Sequence, residues 1–546
     1  MEEILFEKPI LSEEERYLIE PFFTNLDRSV YGVTFLPPEI VGALSSRASR
    51  TKDDLRVVFL NEFIKPFLET DYGNSFQEFA HFLHQNSFEK IFANPKAREF
   101  YFKWLSEYGD DSIAQMAGTH LVFSSLSQLA IKHFENQRIG LAPIEKSTRY
   151  VDFSRKINNS YRYFTPPEIE KFGLKQDYKK TLDFLFETYS FLSQSYLDFL
   201  KNKFPNEKEL VLKTKAFDVA RLILPVATLG QVAFFGNGQA FEYLISRSLE
   251  SNLEEVRWAA QRAYEELFKV IPAFLRRLDK EESKSYRKYL GERKSRVKEV
   301  FKEIPFPSEE KIFQEDSKVR LLEYDPLGED KVIAGILYSE SGMNFSQLLE
   351  KVKKLTLEQK ERVLAKILSD RKFRWYKVPR AFENVYLRFE IETNIGAWRD
   401  LQRHRMQTQQ HQRFTISNGF DVPQELREAR LENSFLEAIK EAENLFEKVR
   451  KIDEEVAQYV VSFAHRVRFI QYQNLRQFFW ETELRTTPQG HPDYRKVEQE
   501  KVKLVQKIYP LISKYLLVSF EDYDLPRRQT PEEILKREKE LKEGSA

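Results

Sequence analysis

The sequence predicts an α+β protein made of two tandem copies of one domain, preceded by a helical extension. Three observations predict it. The chain has 546 residues, too many for one ordinary core and enough for two domains of comparable size. From Val385 the stretch VYLRFEIET alternates apolar and polar residues as a half-buried strand does, and Asn394 then caps a helical stretch through IGAWRDLQRHR. Finally, Arg257 to Pro272 (RWAAQRAYEELFKVIP) aligns without gaps on Arg495 to Pro510 (RKVEQEKVKLVQKIYP). This matches Arg257 with Arg495, Gln261 with Gln499, Lys269 with Lys507 and Pro272 with Pro510, and Asn237 and Asn474 lie at almost the same distance upstream.

In order along the chain, residues 1–100 read as a helical extension, with FQEFAHFLHQNSFEKIF carrying apolar residues three and four apart. The first domain spans 101–277. The densely charged stretch LDKEESKSYRKYLGERKSRVKEVFKEIPFPSEEKIF marks a connector over 278–316, part of it helical. The second domain spans 317–528, and 529–546 is a charged tail whose PEEILKREKELKEGSA reads as an exposed, fraying helix.

Composition excludes several kinds of chemistry. The 86 basic and 85 acidic residues nearly cancel, so no global field concentrates a nucleic-acid polymer and any anion recognition is local. With no cysteine, disulfides, thiolate metal sites, iron–sulfur clusters and cysteine nucleophiles are excluded. Abundant Lys and Glu without cysteine is a heat-adapted composition. No run of about eighteen apolar residues occurs, and the sequence reads as cytoplasmic.

The stretch RHRMQTQQHQRF, Arg403 to Phe414, places two arginines about a histidine near the end of the predicted helix. This resembles the flavin-dependent thymidylate synthases, whose motif RHRxxSxNExSxRY follows a strand and helix. PRAFENVYLRFEIETNIGAWRDLQRHR is similar to the family's lead-in, with its Phe-Glu pair at Phe382 and Glu383, and NLRQFFWETELR resembles the Asn-bearing helix that ends in a substrate arginine, here Arg485. In the first half YGDDSIAQMAGTHLVFSSLSQLAIKHF resembles the same lead-in. There EKSTRY matches ExSxRY through Glu145, Ser147, Arg149 and Tyr150, and ARLILP matches the family's ARxxLP at Arg221. Asn237 follows Pro225 by twelve residues, as the family's asparagine does. Neither copy is complete. RHR is degraded to Asn136, Gln137 and Arg138 in the first half, where Asp110 replaces a histidine, while the second half has lost ExSxRY and reads His411 to Phe414 (HQRF).

The resemblance implies a twisted, largely antiparallel sheet with long helices in each domain, and a site to which one copy gives ExSxR and the ARxxLP arginine and the other RHR and the late arginine. The implied substrate site is Glu145, Ser147, Arg149 and Arg221 with Arg403 and Arg485, since guanidinium forks and a hydroxyl suit a nucleotide phosphate. The implied cofactor contacts are Arg403, His404, Arg405, Asn237 and Asn474, with His404 kept neutral by its like-charged neighbours. The implied reaction is methylation of dUMP to dTMP, in which reduced FAD gives hydride to the pyrimidine and methylenetetrahydrofolate the carbon, NADPH being a co-substrate. The implied assembly is a homodimer that mimics a tetramer of single domains.

His404 and His411, seven apart, could share a helical face, but no third ligand has metal spacing. His81, His84 and His491 read as packing or surface residues, and FFWETEL and FYFKWL as core. The alternative to a synthase is a family member that binds nucleotide or flavin without methylating, or a regulatory or structural partner. A nucleic-acid-binding role is disfavoured by the charge balance and the lack of a basic-aromatic cluster.

Overall fold

The computed structural model describes residues 4–86, 94–101, 103, 111–304 and 318–525. Asp110, nearly all of FYFKWL, the end of the connector and the tail lie outside the described residues. The chain divides into two compact units. Unit 1 comprises 1–194, 223–310 and 431–462, and unit 2 comprises 195–222, 311–430 and 463–546, so each unit takes a segment from the opposite half of the sequence.

Each unit is built on a four-stranded antiparallel sheet of the same order. In unit 1 the strands are β1 (Val30–Val33), β2 (Gly118–Ser127), β3 (Leu141–Glu145) and β4 (Leu229–Asn237), ordered β1-β2-β4-β3. Unit 2 repeats this with β5 (Val319–Tyr324), β6 (Tyr386–Asn394), β7 (Gln407–His411) and β8 (Arg466–Asn474), ordered β5-β6-β8-β7. The segment read as wholly helical, 1–100, therefore also supplies an edge strand. All four residues of β1 are buried, an apolar run too short to show alternation.

The predicted strand of the second half is β6, in which Leu387, Phe389 and Ile391 are buried and the residues between them half-buried. Asn394 ends it, and its Oδ1 accepts from the Ala397 amide to start the Ile395–Leu401 helix. That helix stops at Leu401, before RHR. The amide-rich stretch that follows is β7, so His411 ends a strand while His404 sits in a turn, and the two share no helical face.

The duplication extends to individual caps and to register. Asn237 and Asn474 each end the third-placed strand of their sheet and cap the next helix, accepting from Ala240 and Gln477 at 2.8 Å. Their equivalent positions come from a shared N-cap. Glu145 pairs with Val232 and His411 with Phe469, matching places in the two sheets, so a histidine stands where the second copy has lost its motif glutamate. The turns differ: Arg138 has φ 45° and Gly140 φ 77°, while no residue from 402 to 406 has positive φ.

Candidate functional site

In unit 2 the turn after the Ile395–Leu401 helix and the Leu475–Arg485 helix form a cleft of ≈ 370 Å³, within the range of small-ligand sites. It is lined by Arg403, His404, Arg405, Asn474 and Arg485, five of the residues the sequence selects. Among the described residues, seven cationic side chains and two carboxylates, Glu383 and Glu483, face it, which makes it a local anion trap in a nearly neutral protein.

His404 is the buried centre. Arg485 donates from Nε to His404 Nε2 at 2.8 Å and from Nη2 to the Asp400 carbonyl at 2.6 Å. A guanidinium can only donate, so Nε2 must accept, which leaves the ring neutral with its proton on Nδ1. That proton needs an acceptor, and the Gln477 carboxamide, 3.2 Å away, supplies one when its oxygen faces the ring. Burial first, then the charges of Arg485, Lys501 and Arg403, hold the imidazole well below its ordinary proton affinity. Arg403 is itself ion-paired to Asp400.

The rim holds residues that the motifs did not reveal. Arg371 bonds both oxygens of Glu483, at 3.0 and 2.9 Å, and Arg476 meets Glu383 at 2.7 Å. Burial would raise Glu383, but the bonds from Arg476 and Arg380 outweigh it and keep the carboxylate ionised. Trp480, read as core within FFWETEL, is instead half-buried at the cleft, with Arg374 and Lys377 within 5.8 and 5.2 Å of its ring centroid. The signal was RKFRWYK, Arg371 to Lys377, a basic-aromatic cluster of the kind judged missing. Phe478 and Phe479 beside Trp480 are core.

Beneath the cleft lies a fully buried triad. Lys501 donates to Glu481 at 3.1 Å and to Glu498 at 3.1 Å, and Gln471 donates to Glu481 at 3.0 Å. Unit 1 has Leu244, Ala260 and Ala263 at the places of Glu481, Glu498 and Lys501, counted from the shared asparagines and the ungapped Arg257 and Arg495 helices.

Of the first-half candidates, Glu145, Ser147, Arg149 and Asn237 lie in unit 1. Glu145 is buried and accepts from Lys132 at 2.7 Å in a triad with Glu135. The Ser147 amide donates to the Ser49 carbonyl at 2.8 Å, while its Oγ accepts from the Arg149 amide at 3.3 Å. Arg149 is buried. Arg221 falls in unit 2, 3.6 Å from Asp218, and does not line the cleft. Asn237 is a cap in unit 1. His81 and His84 pack on Tyr17, and His491 caps the Pro492–Ile508 helix.

Two antiparallel α+β units of one topology, one of them carrying a cationic cleft around RHR, define a tandem-duplicated protein. Residues 67–273 and 320–511 match the thymidylate synthase complementing protein family, and the chain belongs to that family, the flavin-dependent thymidylate synthases. A UPF0159 protein of Chlamydia muridarum is 34% identical over 94% of this chain and 97% of its own length, and one of Thermoplasma acidophilum is 30% identical over 89% and 96%. Among solved structures, a UMP/dUMP methylase, PolB of Streptomyces cacaoi, bound with 5-Br dUMP, aligns with 37% of this chain and 96% of its own at 15% identity and a TM-score of 0.29. No described helix is long and apolar enough to cross a membrane.

Proposed function

We propose that the protein is a flavin-dependent thymidylate synthase that converts dUMP to dTMP with FAD, NADPH and methylenetetrahydrofolate, and that the unit 2 cleft takes the anionic, aromatic ligands of this reaction. The observation that carries the reading is the convergence of Arg403, His404, Arg405, Asn474 and Arg485 on one cleft. The donor set fits FAD: Arg403 and Arg405 suit a pyrophosphate, and Trp480 with its flanking cations suits a flat ring. FAD, when bound, supplies hydride chemistry that no side chain here could replace.

The chain's own residues bind and orient. The Arg485 guanidinium, fixed through Nε and Nη2, retains Nη1 for a ligand oxygen at no further entropic cost. His404, neutral and dry with both ring nitrogens engaged, orients the Arg485 guanidinium without exchanging a proton at neutral pH.

The test is the visible spectrum of the purified protein, followed by tritium release from C5 of labelled dUMP in the presence of FAD, NADPH and methylenetetrahydrofolate. Flavin absorbance with tritium release is expected. A protein that neither carries nor takes up FAD, and does not rescue a thymidine auxotroph, overturns the reading. Engagement of Glu145 by Lys132 and of the Ser147 amide by Ser49 favours one alternative, a family member that binds dUMP or flavin without methylating. Tight dUMP binding with no tritium release would identify it.

A further inference from the structure

The turn that carries Arg403, His404 and Arg405 is held by side-chain donors as well as by its own backbone. The helix before it ends at Leu401, whose carbonyl is one of those a helix leaves without an internal partner. Three donors meet that oxygen: the His404 amide at 3.4 Å, Gln407 Nε2 at 3.0 Å and Gln409 Nε2 at 3.3 Å. Gln407 is 4% exposed, and its Oε1 accepts from Nε2 of Gln471, 1% exposed on the neighbouring strand β8. The same Gln471 nitrogen donates to both oxygens of Glu481, at 3.0 and 3.1 Å, and Glu481 lies one turn before Arg485 on the Leu475–Arg485 helix. A buried network thus runs from three residues before His404 to one turn before Arg485, and these are the two side chains that meet at 2.8 Å.

The network can point only one way. The Leu401 carbonyl at one end and the Glu481 carboxylate, which takes Lys501 at 3.1 Å, at the other can only accept, so each glutamine turns its nitrogen outward and Gln407 is left with oxygen towards Gln471. Aligned donors of this kind polarise one another, and removing one leaves a buried partner unmet. Unit 1 builds the same sheet without them. Leu141, Pro143, Phe234 and Leu244 stand at the places of Gln407, Gln409, Gln471 and Glu481, while the backbone bond persists from the Gln137 amide to the Phe134 carbonyl at 3.2 Å. There two left-handed residues, Arg138 and Gly140, shape the turn. Unit 1's own buried triad of Lys132, Glu135 and Glu145 occupies none of these places. The strand pairing therefore does not need the glutamines, and what they do fix is where His404 stands against Arg485.

We infer that Gln407 and Gln471 are positioning residues of the unit 2 cleft, which hold the turn of Arg403, His404 and Arg405 against the Leu475–Arg485 helix so that His404 and Arg485 stay in contact. Gln407 acts through the Leu401 carbonyl and Gln471 through Glu481, and neither lines the cleft. What the held turn serves rests on the reading of the cleft as the site of flavin and nucleotide; that the glutamines hold it does not.

The experiment uses the full chain as wild type, Q407M and Q471M, since methionine matches glutamine in length without its donors. His404 is read directly, by diethyl pyrocarbonate labelling and mass spectrometry at pH 7. His465, 0% exposed, whose carbonyl takes the Ile395 amide at the start of the same helix at 2.9 Å, reports whether the rest of the unit stays folded. In the wild type both ring nitrogens of His404 are engaged and labelling is slow; in Q407M it is expected to rise about tenfold or more while His465 stays protected. Q471M, which cuts the network nearer Glu481, is expected to act in the same direction and replaces Q407M should that variant fail to fold. Affinity for FAD, by fluorescence, is expected to fall about tenfold or more in the same variants. Unchanged labelling of His404 in the folded variants overturns the inference, as does an equal loss of protection at His465, or FAD affinity unchanged in a variant that frees His404. The labelling needs no ligand, so a wild type that binds no FAD overturns the proposed reaction and leaves the positioning role to be decided on His404 alone.

Discussion

Replacing Lys501 with methionine removes the only cation of a fully buried triad while nearly preserving volume, and the geometry sets the size of the effect. Glu498 is raised to about 8, by burial first and by Glu481 second, so at pH 7 it already carries a proton and Lys501 balances one remaining negative charge. Without Lys501 that charge must be neutralised by a second proton. From an ordinary carboxyl value of 4.5, each pH unit costs 1.36 kcal/mol, so the penalty at pH 7 is about 3 kcal/mol, close to the 3–5 kcal/mol typical of breaking a buried pair. The variant's folded state then binds more protons than its unfolded state, so its deficit shrinks as pH falls, to below about 1 kcal/mol at pH 5. Urea unfolding of wild type and K501M from pH 5 to 8 measures this. The triple variant E481L/E498M/K501M, which removes all the charges as Leu244, Ala260 and Ala263 do in unit 1, should recover most of the loss. A K501M deficit independent of pH, or a triple variant no more stable than the single, would refute the reasoning.

Four further outcomes are expected. Glu255, buried, is raised to about 7 by desolvation despite donors from Ser127 and Tyr459; its folded-state value exceeds the unfolded one, so wild-type stability falls by about 3 kcal/mol as pH rises from about 4.5 to 7. E255Q should flatten that slope in chemical denaturation. R485K leaves a point charge that cannot reach His404 Nε2 and the Asp400 carbonyl together, and calorimetric affinity for dUMP should fall about tenfold or more. Since His404 is held neutral, FAD affinity by fluorescence should be flat from pH 6 to 8, and an inflection near 6.5 would contradict the assignment. Tryptophan emission should be quenched by FAD in the wild type and much less so in W480F.

The sequence carried the parts of this fold that rest on local chemistry. Alternation in β6, the asparagine cap after it and the ungapped helix pair all had one-dimensional signatures. It did not carry the end of the helix before RHR, because nothing in LQRHRMQ breaks a helix; the pairing of Gln407–His411 with β8 is a long-range event that decides it. The exchange of 195–222 and 431–462 between units is likewise a tertiary choice without a local code. Within the site, the motif residues from the second half converge, while Arg371, Arg374 and Lys377 reach the cleft from a segment about a hundred residues before Trp480. The bonds from Lys146 to the carbonyls of Lys52 and Asp53 in unit 1 span a similar separation, which no spacing rule anticipates.

The internal copy also separates what Arg485 does for the fold from what it does for the site. In unit 1 Arg247, one residue nearer its own asparagine cap, donates from Nη2 to the His133 carbonyl at 3.2 Å. His133 precedes Asn136 by three residues, as Asp400 precedes Arg403, so this bond reproduces that from Arg485 Nη2 to Asp400. A contact kept where RHR has decayed to NQR is holding the helix to the turn, and it needs no ligand to explain it. The bond from Arg485 Nε to His404 has no such copy, because Gln137 stands at the histidine's place. The same holds for the buried charges beneath it, which unit 1 replaces with apolar residues. Unit 1 has a buried triad of its own at other places, Lys132 with Glu135 and Glu145, so a buried triad by itself does not mark the site; what sets this one apart is its place by His404, whose proton affinity Lys501 helps to lower. His404 with its Nε2 contact, and Glu481, Glu498 and Lys501, are thus what unit 2 has at the places where unit 1 has Gln137, Leu244, Ala260 and Ala263.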